Sequence, residues 1–200
     1  LMVFEHVFKG VLDSAPLFAW VPGRAVFPTF VLAFACAAAG LTLDRLPAIA
    51  RRMLKWGAIT LLPLVLMERA APLNILFTFA LGVGVYYWWW RADMSRWRVA
   101  LVVVLLVLGF VVEYGPLGVL GVAFGMHGAR VGVLWKRYVY LGGSVALLCW
   151  QQGTFIPAAA CGTLLVFWSL FEVRVPRLRG VFYRLYALHW CVIGAVRALV

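Results

Sequence analysis

Two histidines in this chain stand beside residues that suit them to proton transfer. His6 directly follows Glu5, and a carboxylate close to an imidazole raises the affinity of the imidazole for a proton, which favours general-base work. His189 lies C-terminal to Phe182 and Tyr186 at helical spacing, so a helix would present these three side chains on one face. The alternative is that both histidines are simply hydrogen-bonded within helices and that the aromatic residues form a packing face.

Three other polar residues interrupt apolar stretches. Arg24 shortly precedes Pro28, and a guanidinium near a carbonyl group freed by proline would form a polar notch, although a cation snorkelling at a helix start is the alternative. Asn74 stands where a helix is expected to begin and is a candidate helix cap. Glu113 has no basic residue in its own loop, so a buried Glu113 would need a partner such as Arg24 or Arg69.

The elements that must position these residues are apolar and helical. Hydrophobic residues make up 66% of the 200 residues and charged residues 12%, whereas a soluble domain has roughly 45–50% and 25%. Continuous apolar runs predict helices rather than alternating strands, and we count about nine such segments. They cover residues 1–12, 25–43, 53–67, 72–90, 99–114, 116–134, 139–150, 154–171 and 180–200. We therefore expect one all-α domain over residues 1–200, a polytopic transmembrane bundle of about nine spans. A span needs about twenty residues, so the first segment, with twelve, is expected to be a truncated span.

Basic residues are concentrated in alternate gaps between these segments. Short loops rich in Lys and Arg remain cytoplasmic, which predicts a multi-pass protein of the inner membrane with the N-terminal end inside and lipid as a partner. A pI near 10.2 and a net charge of +11 do not indicate nucleic-acid binding, because the charges are divided among separate loops. Four of these residues, Arg51, Arg52, Arg177 and Arg179, are candidates for holding phosphate groups, or else plain topology anchors. Counted with the turn of helix on either side, the basic gaps hold Arg45, Arg51, Arg52 and Lys55; Arg91, Arg96 and Arg98; Arg130, Lys136 and Arg137; and Arg174, Arg177, Arg179 and Arg184.

Glycines and cysteines have a structural rather than a chemical interpretation. Small residues allow close helix contact in membrane bundles, which predicts packing positions at Gly82, Gly84, Gly118, Gly121, Gly125, Gly142 and Gly143. The four cysteines have no C-x-x-C spacing. The sequence therefore predicts no metal site.

Five stretches, taken in order, resemble the TraX family, the membrane acetyltransferases of conjugative pilus systems. Glu5-His6 is similar to the acidic-His pair of the family's first span. The closing stretch at residues 182–189, FYRLYALH, is the most specific match, and it differs from the family pattern at Ala187, where the family has proline. The other matching stretches are GRAVFPTFVLAFACA at residues 23–37, PLNILFTFALG at 72–82 and VEYGPLGVL at 112–120.

The resemblance implies an enzyme that moves an acetyl group from acetyl-CoA to an amine, the N-terminal amine of pilin in the family, with no metal. It implies catalytic roles for His6, Glu5, Arg24 and His189, and it makes Asn74, Glu113 and Tyr186 candidates for substrate contact or structural support. The acceptor could be a membrane pilin or another amine or hydroxyl compound. The alternative function is a non-enzymatic pilus assembly factor or a membrane transporter.

Overall fold

The computed structural model describes residues 17–66, 73–90 and 95–156, and in addition residues 158, 159, 188, 191–193 and 195; for residues 17–25 and 62–66 it describes the backbone alone. This part of the chain is all-α, as expected. Six α-helices follow one another in it: α1 (Leu17–Ala39), α2 (Leu46–Leu66), α3 (Ile75–Trp89), α4 (Arg96–Leu108), α5 (Gly115–Arg130) and α6 (Leu134–Gln152). Short 3₁₀ turns at Leu43–Arg45 and Gly109–Val111 precede α2 and follow α4.

The six helices correspond to the second to seventh predicted apolar segments, and the boundaries shift at several places. The helix predicted from residue 25 begins at Leu17, so Arg24 lies inside α1 rather than at its start. The segment predicted at residues 139–150 extends to Leu134–Gln152. It ends where Gly153 adopts φ 61°, a left-handed conformation that glycine enters without a Cβ clash.

The prediction of about nine spans is not supported. No helix in the described residues combines the length and the apolarity needed to cross a membrane. Three of the predicted segments form helices of 15, 13 and 16 residues, namely α3, α4 and α5, which are shorter than the roughly twenty residues of a span. The first predicted segment lies outside the described residues, as do most of the eighth and ninth.

Helices α3 and α5 form the centre of the bundle. Helix α5 packs against α1, α3 and α6, and α3 also packs against α2 and α4. Val119, Val122 and Met126 of α5 are fully buried. The Ser144 hydroxyl of α6 donates a hydrogen bond to the Gly121 carbonyl of α5 at 2.7 Å, so a polar contact joins these two helices inside the core.

The helices alternate in direction, which gives the bundle two chemically different ends. Arg130 at the end of α5 contacts Ala38 and Leu41, which lie at the end of α1. The guanidinium of Arg98 in the first turn of α4 lies 6.0 Å from the ring of Trp88 at the end of α3. We call this the basic end, because three of the four predicted basic gaps meet there; the fourth lies outside the described residues.

Candidate functional site

At the other end of the bundle, two non-helical segments meet side by side. The Leu73 N–H donates to the Val111 carbonyl at 2.8 Å, and the Glu113 N–H donates to the Leu73 carbonyl at 2.7 Å, which makes a parallel bridge between Leu73 and Val112. This bridge fixes the segment before α3 against the segment before α5. We call residues 73–74 and 112–115 the platform.

Asn74 on the platform ties α3 to the middle of α2. Its side-chain oxygen accepts a hydrogen bond from the Leu76 N–H at 3.0 Å, so Asn74 caps α3 as predicted. Its side-chain nitrogen donates to the Gly57 carbonyl at 3.0 Å and to the Thr60 hydroxyl, and that hydroxyl donates to the same carbonyl at 2.7 Å. Because the Asn74 amide is buried and all these bonds are within the protein, the geometry gives Asn74 a structural role.

An aromatic stack joins α1 to the platform. The rings of Phe27 and Tyr114 lie parallel, with centroids 3.6 Å apart and an interplanar angle of 17°. Phe79 of α3 meets the edge of Phe27 at 5.6 Å. Phe27 is fully buried, so three helices are fixed to one another immediately beneath the platform.

Glu113 lies on the surface of the platform and is exposed. The condition for that expectation, burial of the Glu113 side chain, is therefore not met, and the suggested pairing stays a prediction. Of the two partners suggested for it, Arg69 lies outside the described residues, and only the backbone of Arg24 is described.

Polar side-chain atoms next to the platform have no hydrogen-bond partner in the described part of the chain. They are the hydroxyl oxygen of Thr78, which is fully buried, and both amide atoms of Gln152, the last residue of α6. Thr78 lies one helical turn after Asn74, and a Cβ on Gly118 would lie 3.3 Å from its methyl group. Burying a polar atom without a partner costs about 1–3 kcal/mol, so these atoms mark a place where a bound polar group would be stabilising.

The sequence interpretation did not select Thr78, Tyr114 or Gln152 as functional residues. Two features of the sequence could have pointed to these residues. One is the Thr78 hydroxyl, one turn after the cap at Asn74, and the other is the pair of consecutive glutamines, Gln151 and Gln152, at the end of an apolar helix. A Cβ on Gly115 would lie 3.4 Å from the Gln151 amide, which places these glutamines beside the start of α5.

The basic end presents exposed cations on α2. Arg51, Arg52 and Lys55 are all exposed, and Arg51 and Lys55 lie one turn apart on the same face of the helix. Their guanidinium and ammonium groups are therefore accessible to a phosphorylated ligand from solution.

Arg130, one of the cations counted with the basic gaps, has its partners within the bundle. It lies in the last turn of α5, and its guanidinium donates to the carbonyls of Ala38 and Leu41, each at 2.8 Å, and to the Tyr86 hydroxyl at 3.3 Å. A cation at a helix C-terminus offsets the negative end of the helix dipole. Arg130 therefore holds the end of α1 against α3 and α5.

His127 is half-buried. Its ring stacks on Trp90 with centroids 4.4 Å apart and meets Tyr140 edge-on at 4.2 Å. His127 thus belongs to an aromatic cluster that packs α5 against α3 and α6.

Several predicted site residues lie outside the described residues: Glu5, His6, Arg177, Arg179, Tyr186 and His189. Their predicted roles stay predictions, as does that of the Arg24 side chain. The described residues contain no group of three or more His, Cys, Asp or Glu side chains that could hold a metal ion.

A family model described as TraX protein matches residues 1–197. The chain belongs to the TraX family. This confirms the resemblance seen in the sequence. No curated protein and no solved structure matches the chain.

Three of the stretches that resemble the TraX family converge on the platform. Phe27, from residues 23–37, stacks on Tyr114, from residues 112–120. Leu73, from residues 72–82, bridges to Val112. Stretches that are far apart in the TraX-like sequence thus form one contiguous structure, which makes the platform the candidate site in the described part of the chain.

Proposed function

We propose that this TraX-family protein is a membrane acetyltransferase that moves an acetyl group from acetyl-CoA to a primary amine, such as the N-terminal amine of a pilin. Family membership fits a pilus-related role. The observation that carries the proposal is the family match over residues 1–197, because the matched region includes both Glu5-His6 and the stretch that ends at His189.

The reaction is an acyl transfer. The amine nitrogen attacks the thioester carbonyl carbon, a carbon–nitrogen bond forms, the carbon–sulfur bond breaks, and the proton lost by the amine balances the thiol that leaves. In this proposal His6 accepts that proton, and Glu5 stabilises the resulting imidazolium. Arg24 stabilises the negative charge that develops on the carbonyl oxygen, and His189 orients a reacting group through a hydrogen bond.

The donor is proposed to bind at the basic end. Arg51 and Arg52 are exposed there, and guanidinium groups form strong, often bidentate hydrogen bonds with phosphate oxygens. Arg177 and Arg179 are proposed to add to the same rim. These four residues would bind the CoA phosphates, which are remote from the reacting carbon.

Location in the inner membrane is part of the proposal, and the exposed apolar residues of the bundle support it. On α4 only Val102 is buried, while Val103, Val104 and Val107 are 53%, 52% and 58% exposed. On α6, Trp135 and Val139 are 65% and 60% exposed. Apolar patches of this kind mark contact with a membrane or another protein, and we propose that these faces contact lipid.

The proposal is tested with the purified full chain in liposomes, labelled acetyl-CoA and a short Gly/Ala/Ser peptide that has a free N-terminal amine. The wild-type protein should acetylate the peptide. His6→Ala should lower the rate by about 10²- to 10⁴-fold, the usual contribution of a general base, and His189→Ala should leave measurable activity. A folded wild-type protein that transfers no label would instead favour a non-enzymatic assembly factor or a transporter.

Variants at the basic end test the proposed donor site in the same assay. Arg51→Gln and Arg52→Gln should raise the KM for acetyl-CoA more than they lower kcat, because they remove binding that is equal in the ground and transition states. Lys136→Gln is the control, since Lys136 is another exposed cation at this end, 5.6 Å from the ring of Trp135. If all three substitutions changed the KM for acetyl-CoA equally, Arg51 and Arg52 would contribute only to the overall positive charge of this surface and would not form a specific donor site.

A further inference from the structure

Helices α4 and α6 expose aromatic side chains near their two ends and small or aliphatic side chains in the middle. On α4, Trp97 lies at the basic end, and Phe110, in the 3₁₀ turn after the helix, lies at the platform end. On α6, Trp135 and Trp150 occupy the corresponding places. All four are exposed, and Trp97, Phe110 and Trp150 by more than three-quarters. The exposed residues in the middle of the two helices include Val103, Val104 and Val107 of α4 and Gly142 and Ala146 of α6.

We call the surface between these aromatic ends the apolar band. No Asp, Glu, Lys or Arg occurs at residues 99–112 or 138–156. Phe110 follows Trp97 by 13 residues, and Trp150 follows Trp135 by 15, so the band is roughly 20–22 Å high at about 1.5 Å per residue. Because α4 and α6 both run from the basic end to the platform end, the band lies at a similar level on both helices.

The order of side chains along the band distinguishes lipid from a protein partner. In a protein interface, the aromatic residues that contribute most to binding cluster near the centre of the contact. At a bilayer, Trp and Tyr instead lie at the two headgroup levels, and aliphatic residues between them face the acyl chains. The band has the second arrangement. It also recurs on two faces of the bundle, since α4 packs mainly on α3 and α6 mainly on α5, as contact with a surrounding lipid phase requires.

The charges next to the band agree with this assignment. Arg96 is exposed next to Trp97, and Lys136 is exposed next to Trp135. Both cations therefore adjoin the band at the basic end, where they would complement the negative headgroups of anionic lipids.

From these observations we propose that the apolar band contacts the acyl chains of a bilayer that is locally thinned to about the height of the band. The hydrocarbon layer would then be roughly 20–22 Å thick around the protein instead of about 30 Å. The inference rests on the proposed membrane location and specifies the kind of bilayer that fits. Thinning also shortens the distance between a donor at the basic end and an acceptor on the opposite side of the membrane.

The first experiment varies the thickness of the bilayer. The full chain is reconstituted in vesicles of phosphatidylcholine and phosphatidylglycerol in fixed proportion, with monounsaturated acyl chains of fourteen to twenty-two carbons, and thermal unfolding is followed by circular dichroism. The Tm should be highest with fourteen or sixteen carbons and lower by about 4–8 °C with twenty-two, because longer acyl chains must be compressed further to match the band. A constant Tm, or a maximum at eighteen carbons or more, would overturn the proposal.

A matched pair of substitutions tests whether the band contacts lipid. Val103 in the middle of the band and Val111 at its platform end are 53% and 52% exposed. A charge is more costly at the centre of the hydrocarbon layer than near the headgroups. In the fourteen-carbon lipid, Val103→Asp should therefore lower the Tm by at least about 4 °C more than Val111→Asp. Equal effects would overturn the proposal, because a face that is open to water does not distinguish the two positions by their height.

Failures of the different proposals are seen separately. A chain that is more stable in short lipids but transfers no labelled acetyl group contradicts only the acetyltransferase proposal. A chain that transfers the acetyl group while its Tm is independent of lipid length contradicts only the thinned bilayer. A chain that an alkaline carbonate wash removes from the vesicles contradicts both the membrane location and the thinned bilayer.

Discussion

The packing of α3 on α5 predicts a large cost for one additional methyl group. A Cβ on Gly82 would lie 2.5 Å from Val122 Cβ and 2.9 Å from the Val119 carbonyl oxygen. The second of these is a backbone atom, so a rotamer change cannot relieve the contact and the two helices must separate. Overpacking of this kind costs about 1–3 kcal/mol, and we take about 2 kcal/mol for Gly82→Ala.

Gly142→Ala is the matched control. Gly142 lies in the interior of α6, and a Cβ there would meet nothing within 4 Å in the described part of the chain. Both substitutions gain about 1 kcal/mol of helix propensity, so that gain cancels in the difference between them. The free energy of unfolding of Gly82→Ala should then be about 2 kcal/mol below that of Gly142→Ala, which is the packing cost alone.

The measurement is thermal unfolding of the purified variants in one detergent, followed by far-ultraviolet circular dichroism. A chain of this size loses about 2–4 °C in Tm per kcal/mol, so the two variants should differ by about 4–8 °C. Gly84→Ala should fall between them, because its Cβ would meet only the flexible end of Leu105, at 3.1 Å. A Tm for Gly82→Ala equal to or above that of Gly142→Ala would refute the close approach of α3 and α5.

Two other predictions concern the platform and the direction of the helices. Asn74→Ala should lower the free energy of unfolding by about 1–3 kcal/mol in the same melt, because it removes the cap of α3 and leaves Gly57 and Thr60 with fewer partners; an unchanged Tm would mean that the buried amide contributes little. If the proposed membrane location is correct, reporter fusions after Gly132, at the basic end, and after Gly153, at the platform end, should give opposite topology signals. Identical signals would contradict a bundle whose α6 passes from one side to the other.

The helices could be predicted from apolar segments, but their boundaries could not. Arg24 and Pro28 suggested a helix start, since proline is poorly tolerated inside a helix. The structure has both within α1, where Phe27 is fully buried against Tyr114 and Phe79. Tertiary packing of this kind outweighs a local helix-breaking preference, and it depends on contacts that no local window of sequence contains.

The same limit applies to residues whose type is informative but whose neighbours are not known. In the sequence, Gly82 and Gly142 are both glycines within apolar segments, and nothing distinguishes them. In the structure, a Cβ on Gly82 would collide with the neighbouring helix, whereas a Cβ on Gly142 would meet nothing within 4 Å. Arg130 resembles the other cations of its gap, but its partners are backbone carbonyls at the end of α1, which carry no signal in a charge pattern. In contrast, the cap at Asn74 is a local feature, and the sequence predicted it correctly.

The arrangement of the two ends of the bundle bears on the proposed reaction. Helix α3 has 15 residues and is therefore roughly 22 Å long, so charges at the basic end and charges at the platform lie at opposite ends of it. At that separation, with solvent screening, the two sets of charges attract each other only weakly. In the proposed reaction an anionic donor would be attracted to the basic end, and the packed core, held by Phe27, Phe79 and the close approach at Gly82, fixes the distance between that donor and the platform.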